Sequence, residues 1–190
     1  MNTPLRWIPN AISLARISMV PMVVASIAEA RYGLGVLLFF LAGFSDGIDG
    51  WLARRFDWRS ELGAILDPIA DKLLLIGTFL VLAYNGLVPL WFALLVIGRD
   101  LLIMGGAIAY HFLYGDLEGD PSMVSKLNTL LLLLYVISVL LLGTGVLVAT
   151  PTVAKWVPQV LMALLVVTMS VSTAGYVFEW LKRAGAHKHA

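Results

Sequence analysis

Six apolar segments, at residues 8–30, 34–54, 62–84, 88–113, 122–149 and 153–181, follow one another with only short breaks. Each is about as long as the roughly twenty residues that cross the hydrocarbon core of a bilayer, some with a surplus for tilt. Inside a bilayer every backbone N–H and C=O must be satisfied within the protein, which leaves helices or closed barrels. No alternating pattern marks barrel strands, so the segments predict six transmembrane helices. The composition agrees. The chain is 60% hydrophobic and only 13% charged, with a mean hydropathy of +0.90, whereas globular domains carry about 25% charge. The expectation is an all-α integral membrane protein with residues 1–190 as one domain.

The breaks have chemical reasons. "EARYG" parts the first two segments with charges and a glycine, "RRFDWRSE" parts the second and third, and "YNGLVP" is a tight turn. "YGDLEGDPS" is a polar loop, and "TGVLVATPTVAKW" leads into the last segment. With six spans both termini share one side. That side collects Arg6, Arg16, Arg54, Arg55, Arg59, Lys72, Arg99, Lys126, Lys182, Arg183 and Lys188, against Arg31 and Lys155 opposite. The positive-inside rule then makes the termini cytoplasmic. Trp7, Trp51, Trp91, Trp156 and Trp180 fall near span ends, as an interfacial belt would. The net charge of +1 gives no reason to expect a nucleic-acid partner. Without cysteine the chain has no disulfide or thiolate metal site. No cleavable signal peptide is evident at "MNTPLRWIPN".

Charge is concentrated where the second and third segments meet, in "SDGIDGWLARRFDWRSELGAILDPIADK". Asp46 and Asp49 stand three apart, Asp67 and Asp71 four apart, so each pair occupies one helical face. A short connection folds the two helices into a hairpin and lets the faces converge near the cytoplasmic surface. Carboxylates crowded in a poorly hydrated site stay ionised only beside cations. Hard oxygen donors suit Mg²⁺ or Mn²⁺, and four aspartates suffice for two ions, which points to two-metal chemistry on a phosphate ester. A solvated loop accounts for Asp57 and Glu61 but not for four aspartates that interrupt apolar helices. An ion or proton pathway is the other reading of intramembrane charge. It is opposed by the cluster's place at one end of the spans.

Written as spacing, the stretch is Asp46-x2-Asp49-Gly50-x2-Ala53-Arg54-x8-Gly63-x3-Asp67-x3-Asp71. This resembles the signature of the CDP-alcohol phosphatidyltransferase family at all its fixed positions. The resemblance implies transfer of a phosphatidyl group from CDP-diacylglycerol to an acceptor hydroxyl, with release of CMP. It implies that Asp46, Asp49, Asp67 and Asp71 hold the metal pair, that Asp71 is also the general base, and that Gly50, Ala53 and Arg54 line the CDP site. It also implies a homodimer. Arg54 offers a planar fork to phosphate. Asn10, at the start of the first span, either caps that helix or contacts CDP or metal. Arg16, one turn and a half further on, is a second candidate for reaching the site.

The acceptor should be read by spans four and five. Arg99 with Asp100 is either a local ion pair or a binder of acceptor phosphate. Lys126 is either a snorkelling anchor or a second phosphate contact. Phosphatidylglycerophosphate synthases carry a similar pair followed two turns later by another arginine, where this chain has Ala107. A phosphodiester acceptor, with one negative charge, needs fewer cations than glycerol 3-phosphate. "RDLLIMGGAIAYH", "PSMVSKLNT" and "STAGYVFEWLKR" look like the eukaryotic-type cardiolipin synthases of the family, so phosphatidylglycerol is the expected acceptor. Glycerol 3-phosphate is the alternative within the same chemistry. A non-catalytic divalent-cation transporter or binding protein is the alternative outside it. A bacterial inner membrane is the expected location; a mitochondrial matrix-facing orientation would look the same. His111 reads as an interfacial polar residue, and His187 and His189 as parts of a polar tail.

Overall fold

A computed structural model describes residues 8–56, 61–114, 123–145 and 151–187, leaving outside that description the side chains of 8–9, 46–54, 61–62, 64–65, 107–114, 123–126, 151–155, 177 and 179–187. Six helices and no strand occur among the described residues: α1 (Ile8–Ala28), α2 (Tyr32–Phe56), α3 (Glu61–Tyr84), α4 (Leu90–Tyr114), α5 (Met123–Gly143) and α6 (Pro151–His187). The all-helical expectation holds, and each helix overlaps one predicted apolar segment. Two stretches, Asn10–Ala28 and Trp156–Tyr176, are long and apolar enough to cross a membrane among the described residues. Large apolar side chains are exposed on several helices, among them Leu14, Phe40, Phe44, Leu80, Leu94 and Val167. Exposed apolar surface of this kind marks contact with a membrane or with protein.

The chain groups into two compact units, Met1–Ala93 with Leu140–Val146, and Leu94–Val139 with Leu147–Ala190. In the first unit α1 packs along both α2 and α3. Val23, Ile27, Phe39, Ala42, Ala70, Leu74, Phe79 and Leu82 are buried there. Close approach of α1 and α3 is helped by Gly77, where a Cβ would lie 3.0 Å from Val24 Cγ2. Phe79 meets Phe92 edge to face at 6.1 Å.

The turns show why the helices stop. α3 ends in a Schellman arrangement: Leu87 N–H donates to the Leu82 carbonyl and Gly86 N–H to that of Ala83, with Gly86 at φ +71°. α1 ends the same way, with Arg31 N–H on the Ser26 carbonyl and Ala30 N–H on that of Ile27. Here the left-handed residue is Ala30, at φ 56°, and not the glycine of "EARYG", because Gly33 already lies inside α2. Asn85 Nδ2 donates to the Ile27 carbonyl at 2.6 Å and ties the end of α1 to the turn after α3.

Three boundaries differ from the sequence reading. Glu61, assigned to the connection, is the first residue of α3. α5 ends at Gly143, short of the expected 149, where Thr144 and Gly145 form a turn. α6 continues past 181 to His187, so His187 closes a helix and does not lie in a tail.

Candidate active site

The site begins with a polar stripe on an apolar helix. Asn10, Ser13 and Arg16 follow one another at three-residue steps along α1 and so share one face. All three are buried: Asn10 is 8% exposed, Ser13 and Arg16 0%. Arg16 is the largest of the fully buried side chains. A guanidinium removed from water needs acceptors around it. The helices that α1 packs against, α2 and α3, are the two that carry the four motif aspartates.

On α3, Asp67 and Asp71 stand one turn apart and both are half-buried. The Ser13 hydroxyl donates to Asp67 Oδ1, joining α1 to α3 across the sequence. Gly63, one turn before Asp67, is buried. Pro68 follows Asp67 directly inside α3. Lacking an N–H, it leaves the carbonyl of Ala64 without its usual helical donor.

Asp67 and Asp71 on α3 and Asn10 on α1 lie in one compact unit, with Asn10 on the helix face that also carries Ser13. Asp46, Asp49, Gly50, Ala53 and Arg54 lie on α2, but their side chains fall outside the described residues. Only two of the four motif aspartates are described, and no group of three or more His, Asp or Glu that could hold a metal ion stands among the described residues. Asp67 and Asp71 offer anionic oxygens one turn apart, partly shielded from water, in a chain without cysteine.

A second polar group stands in the other unit. Arg99 Nη1 pairs with Asp100 Oδ1 at 2.8 Å, the two side chains being 12% and 6% exposed. Its Nη2 donates to Ser172 Oγ at 3.0 Å. Its Nε is buried with no hydrogen-bond partner among the described residues. The ion-pair reading of Arg99 is therefore realised, and the guanidinium still has an unused donor. A groove of about 440 Å³ lies beside it, lined by Leu94, Leu95, Gly98, Arg99, Met169 and Thr173 among others. It combines apolar walls with one cationic group. Further along, Asn128 is buried and accepts from Thr168 Oγ1 at 3.1 Å. The side chains of Lys126, Ala107 and His111 lie outside the described residues.

Sequence reasoning overlooked Ser13 and Ser172. The signal for Ser13 was available in its spacing, midway between Asn10 and Arg16. Ser172 had no such signal, since its relation to Arg99 joins positions 73 residues apart.

Comparison with known proteins follows the same lines. The family model described as CDP-alcohol phosphatidyltransferase matches residues 6–178. A Streptomyces coelicolor protein named "Cardiolipin synthase (CMP-forming)" is 35% identical over 146 residues, covering 73% of this chain and 66% of its own length. A Homo sapiens protein of the same name is 32% identical over 145 residues, covering 68% and 48%. A Drosophila melanogaster protein named "Probable cardiolipin synthase (CMP-forming)" is 31% identical over 138 residues, covering 64% and 43%. The match thus takes in less than two thirds of the length of each of these relatives.

Proposed function

Since the chain belongs to the CDP-alcohol phosphatidyltransferase family, we propose that it transfers the phosphatidyl group of CDP-diacylglycerol to phosphatidylglycerol, forming cardiolipin and CMP. The observation that carries this reading is the pairing of Ser13 with Asp67, which sets the motif carboxylates of α3 against the buried polar face of α1. The printed names of the relatives support phosphatidylglycerol as the acceptor.

Asp46, Asp49, Asp67 and Asp71 would hold two divalent cations, Mg²⁺ or Mn²⁺. Bound there, such ions reduce the charge repulsion of a pyrophosphate and stabilise a departing phosphate. The chain's own groups do the rest. Gly50, Ala53, Arg54 and Asn10 bind the CDP portion, with the Arg54 fork suited to a phosphate. Asp71 accepts the proton of the acceptor hydroxyl. The acceptor oxygen then bonds to the lipid-side phosphorus, the bond from that phosphorus to the CMP oxygen breaks, and CMP leaves as an anion. Arg99 and Lys126 hold the single negative charge of the acceptor's phosphodiester.

In this reading the six helices span the membrane, with the termini and the aspartates on the cytoplasmic side of a bacterial inner membrane. The working form is a homodimer. Exposed leucine, valine and phenylalanine on several helices support the membrane placement.

The test is reconstitution of the pure protein in liposomes with CDP-diacylglycerol and Mg²⁺, plus either phosphatidylglycerol or glycerol 3-phosphate, the products being read by mass spectrometry. Cardiolipin formed from phosphatidylglycerol is expected. Phosphatidylglycerophosphate as the product would keep the chemistry and overturn the acceptor. No CMP release with either acceptor would overturn the proposal.

A further inference from the structure

Ser13 is a hydroxyl in the middle of the buried polar face of α1, between Asn10 and Arg16. It is fully buried in α1, and its hydrogen bond to Asp67 Oδ1 crosses between helices. Three other buried or half-buried serines bond within their own helices. Ser26, Ser45 and Ser138 each donate to a carbonyl three residues back in their own helix, the usual way for a helical serine to satisfy itself. Ser13 donates to a carboxylate on another element. A donor to one carboxylate oxygen fixes the plane of the group and limits its rotation, while the other oxygen keeps its lone pairs. Groups that hydrogen-bond to metal-ligating carboxylates orient them in this manner, and losing one typically weakens metal affinity about 10–100-fold.

We propose that Ser13 is a positioning residue for Asp67, holding its carboxylate in the orientation that binds a divalent cation. The inference rests on the proposed cation site and extends it from α2 and α3 to α1. It explains why a polar residue stands at position 13 in the middle of a buried face.

The test is equilibrium Mn²⁺ binding by the full chain in lipid nanodiscs. It is followed by the loss of the free-ion electron paramagnetic resonance signal, with no substrate present. Wild type, Ser13→Ala, Ser13→Thr, Asp67→Asn and the control Ser26→Ala are compared. Ser13→Ala should weaken Mn²⁺ binding by about tenfold or more. Ser13→Thr retains the hydroxyl and should stay within about threefold of wild type, and Ser26→Ala should match wild type. Should Ser13→Ala fail to fold, Ser13→Cys, near in size and only a weak donor, takes its place with the same expectation. Equal affinity in Ser13→Ala and wild type overturns the inference while leaving the cation site standing. So does equal weakening in Ser13→Ala and Ser13→Thr, which would mark a packing role. Absence of Mn²⁺ binding in wild type, or full binding in Asp67→Asn, overturns the cation site itself and the inference with it.

Discussion

Arg99 on α4 donates through Nη2 to Ser172 on α6 at 3.0 Å, while its Nη1 holds Asp100 at 2.8 Å. The same guanidinium therefore braces two helices and keeps a buried acid in an ion pair. If Arg99 holds the acceptor phosphate as proposed, it does so through N–H groups not spent on Asp100 and Ser172. Arg99→Lys keeps the charge but loses the fork. We expect it to raise KM for phosphatidylglycerol about tenfold, the size of one charge-assisted hydrogen bond of roughly 1.5 kcal/mol, with a smaller change in kcat. Ser172→Ala, which leaves the charge pair intact, should change KM less than about threefold. Steady-state assays at fixed CDP-diacylglycerol check both. An unchanged KM with a lowered unfolding temperature would assign Arg99 to structure alone.

Asp67→Asn and Asp71→Asn each remove one negative charge with little change in volume. Both should lower turnover by at least about a hundredfold, since each loses a group asked to hold a cation or take a proton. Both carboxyls are half-buried, so helical content and unfolding temperature should stay near wild type. CMP release together with circular dichroism measures the two effects side by side. Near-normal turnover in either variant would remove that residue from the site.

Ala30 sits at φ 56°, a conformation that costs an L-residue with a Cβ roughly 1 kcal/mol. Ala30→Gly removes that penalty and gives back some of the gain as unfolded-chain entropy. A rise in unfolding temperature of a few degrees is expected. Gly86 makes the reverse case at φ +71°, and Gly86→Ala should lower stability by about 1 kcal/mol. Thermal unfolding in one detergent measures both changes.

Gly143, the last residue of α5, faces the ring of Tyr32. A Cβ there would lie 2.6 Å from Cδ2 and 2.8 Å from Cγ of that ring. The ring atoms nearest the backbone have little freedom to move aside. Gly143→Ala should therefore destabilise by about 1–3 kcal/mol, the usual range for overpacking. The double variant Gly143→Ala with Tyr32→Ala should lose less than the sum of the two single changes. Additive losses would show that the contact is not the cause.

Much of the architecture is legible in the sequence because bilayer length and helical spacing act locally. Apolar runs locate all six helices, with the ends of α5 and α6 displaced by about six residues, and the spacing of Asp67 and Asp71 puts them on one face of α3. Relations between distant residues are harder to read. Nothing local pairs Ser13 with Asp67 or Arg99 with Ser172. Those contacts arise only when the helices are packed, and three-residue spacing on α1 marks a polar face without naming its partner. Ala30 illustrates a different limit. Propensity favours the nearby glycine for the left-handed turn, yet α1 stops where Arg31 and Ala30 can close on the carbonyls of Ser26 and Ile27. Asn85 fixes that same end from outside. Packing has overridden propensity there by an amount that propensity scales, about 1 kcal/mol per residue, can readily lose.

Ser13 with Asp67 and Ile27 with Asn85 are two ties between the same pair of segments, one near each end of α1. Both partners advance along the chain together, so α1 and α3 run in the same direction. Sliding one past the other by a single helical turn, about 5.4 Å, would break both ties at once. The two helices are thereby pinned in axial register, and the height of Asp67 relative to α1 cannot drift. Within its own unit, the α1–α3 pair is a fixed frame.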